Sequence, residues 1–299
     1  MLATFVIGLR EGLEAALIVG IIAAFLRQRE RLDALRLVWA GVAIAIAICL
    51  AVAIGLQVWS ASLPQAQQEG LETVVGAAAV VMVTYMIVWM RRHSRGLKRD
   101  IESAASAALA QGTAYALVAM AFLAVMREGL ETAVFLLAAF NASGSATAAG
   151  FGAALGIAVA VAIGYGIYRG GVRLDLARFF RLTGVVLVFV AAGLVATALH
   201  TAHEAGWLTV GQTQLLDLSW LATPGTIQAA LLTGALGIQS HPTVIEVVGY
   251  FLYLIPMLIY VLWPQQRRPA PVGTTQTAGP TPATAAAATA AAPVAGGER

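Results

Sequence analysis

Arg10-Glu11-Gly12-Leu13-Glu14 and Arg127-Glu128-Gly129-Leu130-Glu131 are the same five residues, and each copy sits in the middle third of a long apolar run. The runs are approximately 2–26 and 112–140. Each is long enough to cross a bilayer as a helix, which takes about 20 residues. An ionised side chain at bilayer depth costs about 2.5–3.5 kcal/mol even on permissive scales. Each motif carries three, so they must face the protein interior, a partner or water. Arg10 and Glu14 are four residues apart, as are Arg127 and Glu131, and residues at that spacing share a helix face and can pair. Glu11 and Glu14 also share a face. One carboxylate per motif can therefore be held by the arginine while the other stays available. Gly12 and Gly129 let a neighbouring helix approach closely.

Outward from the motifs, five further apolar runs appear at approximately 37–60, 70–90, 147–168, 181–203 and 242–263. The chain is 60% hydrophobic and 11% charged. A soluble domain is about 25% charged, because its surface needs solvation. The expectation is an all-α polytopic membrane protein with seven transmembrane helices, in which the fourth span tilts or breaks near its end. No basic n-region precedes the first run, which reads as a span and not as a signal peptide. The basic residues set the orientation. Arg27, Arg29, Arg31 and Arg36 follow span one, and Arg91, Arg92, Arg95, Lys98 and Arg99 follow span three. Arg169, Arg173, Arg178 and Arg181 follow span five, and Arg267 and Arg268 follow span seven. The loops 61–69, 141–146 and 204–241 contain no Lys or Arg. Basic loops stay cytoplasmic, so the N-terminus is expected outside and the C-terminus in the cytoplasm. The net charge of +3 gives no reason to expect nucleic-acid binding. Trp39, Trp59, Trp89, Tyr168 and Trp263 fall near span ends, as an interfacial aromatic belt does.

Three spans separate the two motif copies, so they run through the membrane in opposite directions. That is the pattern of a 3+3 inverted repeat with one extra helix, which places a substrate site near the midplane where the halves meet. Two motifs brought together offer Glu11, Glu14, Glu128 and Glu131, with Arg10 and Arg127 reducing the cluster's negative charge. Carboxylates are hard ligands for hard cations such as ferric iron, magnesium, calcium or manganese. The competing possibility is that each Arg–Glu set is a neutralised strut between helices. A second constellation is expected at the outer surface. Glu69 and Glu72 open span three, while His200, His203 and Glu204 close span six, with Glu246 just inside span seven. Carboxylates with imidazoles suit an outer access site for a transition metal. Cys49 is the single cysteine, which excludes an internal disulfide or a Cys-x-x-Cys site. Within 204–241, Ile227 to Ile238 is too short to span and reads as interfacial or re-entrant. Residues 1–265 are expected to form one seven-helix membrane domain, and 266–299 are an Ala/Pro/Thr-rich tail expected to be disordered and cytoplasmic.

A paired Arg-Glu-Gly-Leu-Glu motif in the first and fourth of seven spans resembles the oxidase-dependent iron permeases, a family with fungal high-affinity and bacterial EfeU-type members. The resemblance covers roughly residues 1–265. It implies that iron is the transported substrate and that no cofactor is permanently bound. It implies that a partner oxidises ferrous iron outside the cytoplasmic (inner) membrane and that the ferric ion passes inward. Glu11, Glu14, Glu128 and Glu131 are then the iron-handling residues. Bacterial members work with periplasmic oxidase or iron-delivery partners, such as a cupredoxin-like protein and a haem peroxidase. The family also has a lead-uptake branch. Uptake of another cation such as lead or manganese, and a non-transporting scaffold or metal sensor, are the alternative readings. There is no P-loop, dinucleotide fingerprint or His-Glu-x-x-His motif, so no enzyme is expected.

Overall fold

Each apolar run folds as a continuous helix. A computed structural model describes residues 1–93, 103, 107, 114–142, 145–169, 175–211, 213–215 and 242–263. Among these the named elements are α1 (Leu2–Gln28), α2 (Leu32–Ala61), α3 (Gln65–His93), α4 (Ala114–Asn141), α5 (Ala146–Tyr168), α6 (Leu176–Glu204) and α7 (Val244–Leu262). All belong to one compact unit, Met1–Trp263. No strand occurs among the described residues. The tail 266–299 and the segment 227–238 lie outside them. The fourth helix is unbroken from Ala114 to Asn141, so of the expected tilt or break, the break does not occur. Several helices run several residues past the expected spans, since polar ends such as Leu32 to Arg36 continue the helical hydrogen bonding into the interface.

Five helices, α2, α3, α5, α6 and α7, are long and apolar enough to cross a membrane by length and composition. α1 and α4 have 27 and 28 residues, about 40 Å of helix, but each carries the three charged motif residues. Large apolar side chains cover the outside. Ile44, Ile46, Leu50, Ile54 and Val58 on α2, and Leu252, Ile255 and Ile259 on α7, are exposed. So continuous an apolar surface is tolerated by lipid and not by water. The chain is a multi-pass membrane protein.

The helices pair in a definite scheme. α1 packs most extensively on α5, and small residues make this possible. A Cβ on Gly8 would lie 2.8 Å from the Ala153 carbonyl oxygen, and one on Gly164 would lie 2.6 Å from Ala16 Cβ. The contacts run in register from Gly8–Ala153 to Ala16–Gly164, so α1 and α5 are parallel. α2 packs on α4, also in parallel: Gly41 meets Val118, and Cys49 meets Gly129. α3 and α6 cross antiparallel, with Thr73 and Thr201 hydroxyls 2.8 Å apart and Gly76 against Ala198. α1 and α4 are antiparallel. Ala3, Val6 and Ile7 share one apolar cluster with Phe135, Ala138 and Ala139, while Val19, Ile22 and Leu26 share another with Leu117, Ala121 and Val125.

α7 lies along α6. At its start Glu246 bonds His200. At its end Arg91 of α3 donates to the Tyr260 and Trp263 carbonyls, and Arg181 of α6 donates to the Leu262 carbonyl at 3.2 Å. Arginines at a helix C-terminus satisfy its orphan carbonyls and suit its dipole.

Candidate metal centre

The antiparallel crossing of α1 and α4 brings the two motifs face to face. One carboxylate oxygen from each of Glu11, Glu128 and Glu131 lies within 4.8 Å of the others. Glu11 and Glu128 are buried, and Glu131 is partly so. Both oxygens of Glu11 and Oε2 of Glu128 are buried without a hydrogen-bond partner. Buried carboxylates left without partners are expensive, and a coordinated cation would satisfy them.

The intra-motif pairs form as the helical spacing requires. Arg10 Nε donates to Glu14 Oε1 at 3.4 Å, and Arg127 Nε donates to Glu131 Oε1 at 2.9 Å. Arg127 Nε also lies 3.9 Å from Glu128 Oε1. Glu14 is therefore held by its arginine and lies outside the 4.8 Å group, though within electrostatic range of its three members, whereas Glu131 belongs to both. Gly12 and Gly129 act as contact points. A Cβ at Gly12 would lie 2.9 Å from Ala160 Cβ, and one at Gly129 would lie 2.5 Å from Cys49 Sγ.

Identical pentapeptides end in unlike surroundings. The Arg10 side chain is completely buried, and that of Arg127 is 54% exposed. Leu13 is buried, whereas Leu130 is 38% exposed. Around α1 the cover comes from an apolar cluster of Leu13, Leu17, Met90, Ala160 and Phe180, with the Arg10 guanidinium 5.8 Å from the Phe180 ring centroid. Sequence patterning carries no sign of Phe180 or Cys49 as neighbours of the motifs, because both contacts join distant segments.

At the ends of α3 and α6 the second constellation only partly assembles. His200 Nδ1 lies 2.9 Å from Glu246 Oε1 and Nε2 lies 3.4 Å from Glu204 Oε1. Glu69 is within interaction range of Glu204, Glu72 and His200. Because a carboxylate only accepts, Nδ1–H donates to Glu246, and the Nε2 contact with Glu204 forms when that nitrogen also carries a proton. Glu246 is buried, and its second oxygen accepts from the Thr243 N–H at 3.2 Å. It orients His200 and caps α7, with one hydrogen bond at each carboxylate oxygen. His203 turns away, with Nδ1 2.7 Å from the Leu208 carbonyl oxygen. The reason is the chain reversal after α6, where Gly206 adopts φ 79°. Gly206 and Trp207 amides bond back to the His203 and Ala202 carbonyls, a glycine-dependent helix stop that presents the Leu208 carbonyl to the His203 ring. Glu72 accepts from Gln68 at 3.2 Å. The same reversal lays Trp207 over Gly70 of α3.

Paired motifs on crossed helices inside an all-helical membrane fold agree with the comparison to known proteins. A family model described as "Iron permease FTR1 family" matches residues 1–265. The chain belongs to the iron permease FTR1 family. Among curated relatives, the ferrous iron permease EfeU of Yersinia pestis is 44% identical over 266 residues, covering 88% of this chain and 94% of the relative. EfeU of Escherichia coli O157:H7 is 42% identical over 261 residues, covering 87% and 94%. No solved structure matches the chain.

Proposed function

We propose that this FTR1-family protein moves iron into the cell across the cytoplasmic membrane, through the carboxylate centre built by its two Arg-Glu-Gly-Leu-Glu motifs. The observation that carries the reading is the convergence of Glu11, Glu128 and Glu131 within 4.8 Å, with both Glu11 oxygens buried and facing no hydrogen-bond donor. Three oxygen ligands suit a hard cation. That the similar proteins are ferrous iron permeases supports iron over lead or manganese. The carried species is ferric ion produced outside by a partner oxidase, of the cupredoxin-like or haem peroxidase kind.

The helix pairing supports a 3+3 inverted repeat with α7 added. Exchanging α1–α3 with α4–α6 turns α1·α5 into α4·α2 and leaves α1·α4 and α3·α6 unchanged, so the scheme maps onto itself. The motif glycines lie where the two halves cross. The seven helices then all span, with the N-terminus outside and the cytoplasmic ends marked by the basic loops. The potential draws a cation inward with about 2.3 kcal/mol per charge per 100 mV.

His200 Nε2, Glu204 and Glu69 make the outer access site, and Glu246 holds the imidazole in its ligating tautomer, as carboxylates do behind metal-bound histidines. The deciding experiment is radio-iron uptake into cells expressing the chain, with manganese and lead as competitors. Iron accumulation that these metals compete for weakly supports the reading. Absence of iron uptake in the presence of an oxidising partner refutes it.

A further inference from the structure

The two arginines occupy the same place in identical motifs, yet they are fixed to very different degrees. Arg10 is enclosed on all sides, with Glu14 at Nε and Phe180 over the guanidinium, and has no space in which to move. Arg127 holds Glu131 through Nε and lies 3.9 Å from Glu128, while its side chain is 54% exposed, so no packed neighbour encloses it on its outer side. Building on the reading of the motif carboxylates as the cation site, we infer that Arg127 is a switchable counter-charge that sets the valence of the ion this site accepts.

The charge balance follows from the groups present. A coordinated cation keeps its carboxylate ligands ionised. Glu14 is neutralised by Arg10. Glu11, Glu128 and Glu131 remain. With Arg127 docked, their three negative charges are offset by one positive charge, and a divalent ion completes neutrality. With Arg127 swung away, all three carboxylates are uncompensated, and a trivalent ion matches them. In a buried site a surplus charge is poorly screened, so this match decides which ion stays. Arg127 also competes directly with the ion for Glu131, so arrival of a trivalent ion and undocking of Arg127 are one exchange. The identical residue on α1 cannot serve this purpose.

The test uses the purified full-length chain with two redox-inert probes, manganese(II) and gallium(III) supplied as its citrate. The readout is the ratio of gallium to manganese affinity. Arg127→Gln and Arg127→Met remove the counter-charge at a half-exposed position, and two variants guard against a folding defect in either. Both should raise the ratio roughly tenfold or more, as expected for one unit of charge in a low-dielectric site. Arg127→Lys, which keeps the charge, should leave the ratio close to wild type. An unchanged ratio in both neutral variants overturns the inference, as does an equal shift in Arg127→Lys. Glu11→Gln tests the underlying site separately. Loss of manganese binding there supports the site, while undiminished binding rejects the site itself and not only the role of Arg127.

Discussion

Glu11 and Glu14 differ by one helical turn, and their surroundings separate their roles. Glu14 is tied to Arg10, whereas Glu11 has two buried oxygens without partners. Glu11→Gln keeps the volume and removes the charge. It is expected to abolish iron uptake, roughly a hundredfold loss or more, at normal membrane abundance, because loss of even a supporting group around a metal commonly costs 10–100-fold. Uptake and immunoblotting of membranes check this together. At the proposed outer access site Glu246→Gln is expected to weaken apparent iron affinity by about 10–100-fold, since the amide no longer holds His200 as a carboxylate does. An uptake titration showing an unchanged half-saturation would remove Glu246 from the access site. Both pairings at i and i+4 were legible in the sequence. The rotation of His203 onto the Leu208 carbonyl was not, because it depends on the reversal at Gly206.

Between elements, glycine sets how near the helices come. Gly129 leaves room for Cys49 Sγ, which a Cβ there would approach to 2.5 Å. Gly129→Ala is expected to destabilise the protein by about 1–3 kcal/mol through overpacking. Cys49→Ala in the same chain should recover much of that loss, since contacting sites are coupled. Thermal unfolding of the single and double variants measures it, and purely additive effects would contradict the contact. The crossing of α3 and α6 is open to a direct check. With Cys49 replaced by Ala, Thr73→Cys and Thr201→Cys together should cross-link on mild oxidation, because the hydroxyls they replace are 2.8 Å apart. Absence of a cross-link would move α3 and α6 apart. The existence of these helices could be read from apolar run length. Their partners could not, because α1 packs most extensively on α5 and α2 on α4, and neither pair is adjacent along the chain.

For the molecule as a whole, the basic loops predict which ends face the cytoplasm. In the Cys49→Ala background, Ser62→Cys between α2 and α3 should react with an impermeant maleimide added to intact cells. Glu30→Cys between α1 and α2 should react only after the membrane is opened. The reverse pattern would invert the proposed orientation. Sequence alone determined the membrane environment, the helical class and the identity of the motif carboxylates, because hydropathy, charge and i, i+4 spacing act locally along the chain. Only the tertiary structure decided that Glu11, Glu128 and Glu131 converge within 4.8 Å while Glu14 is tied to Arg10 beside them, and that Arg10 is buried while Arg127 is half-exposed. Two identical pentapeptides cannot encode that difference. It comes from the distant residues that each one meets, above all Phe180 over Arg10.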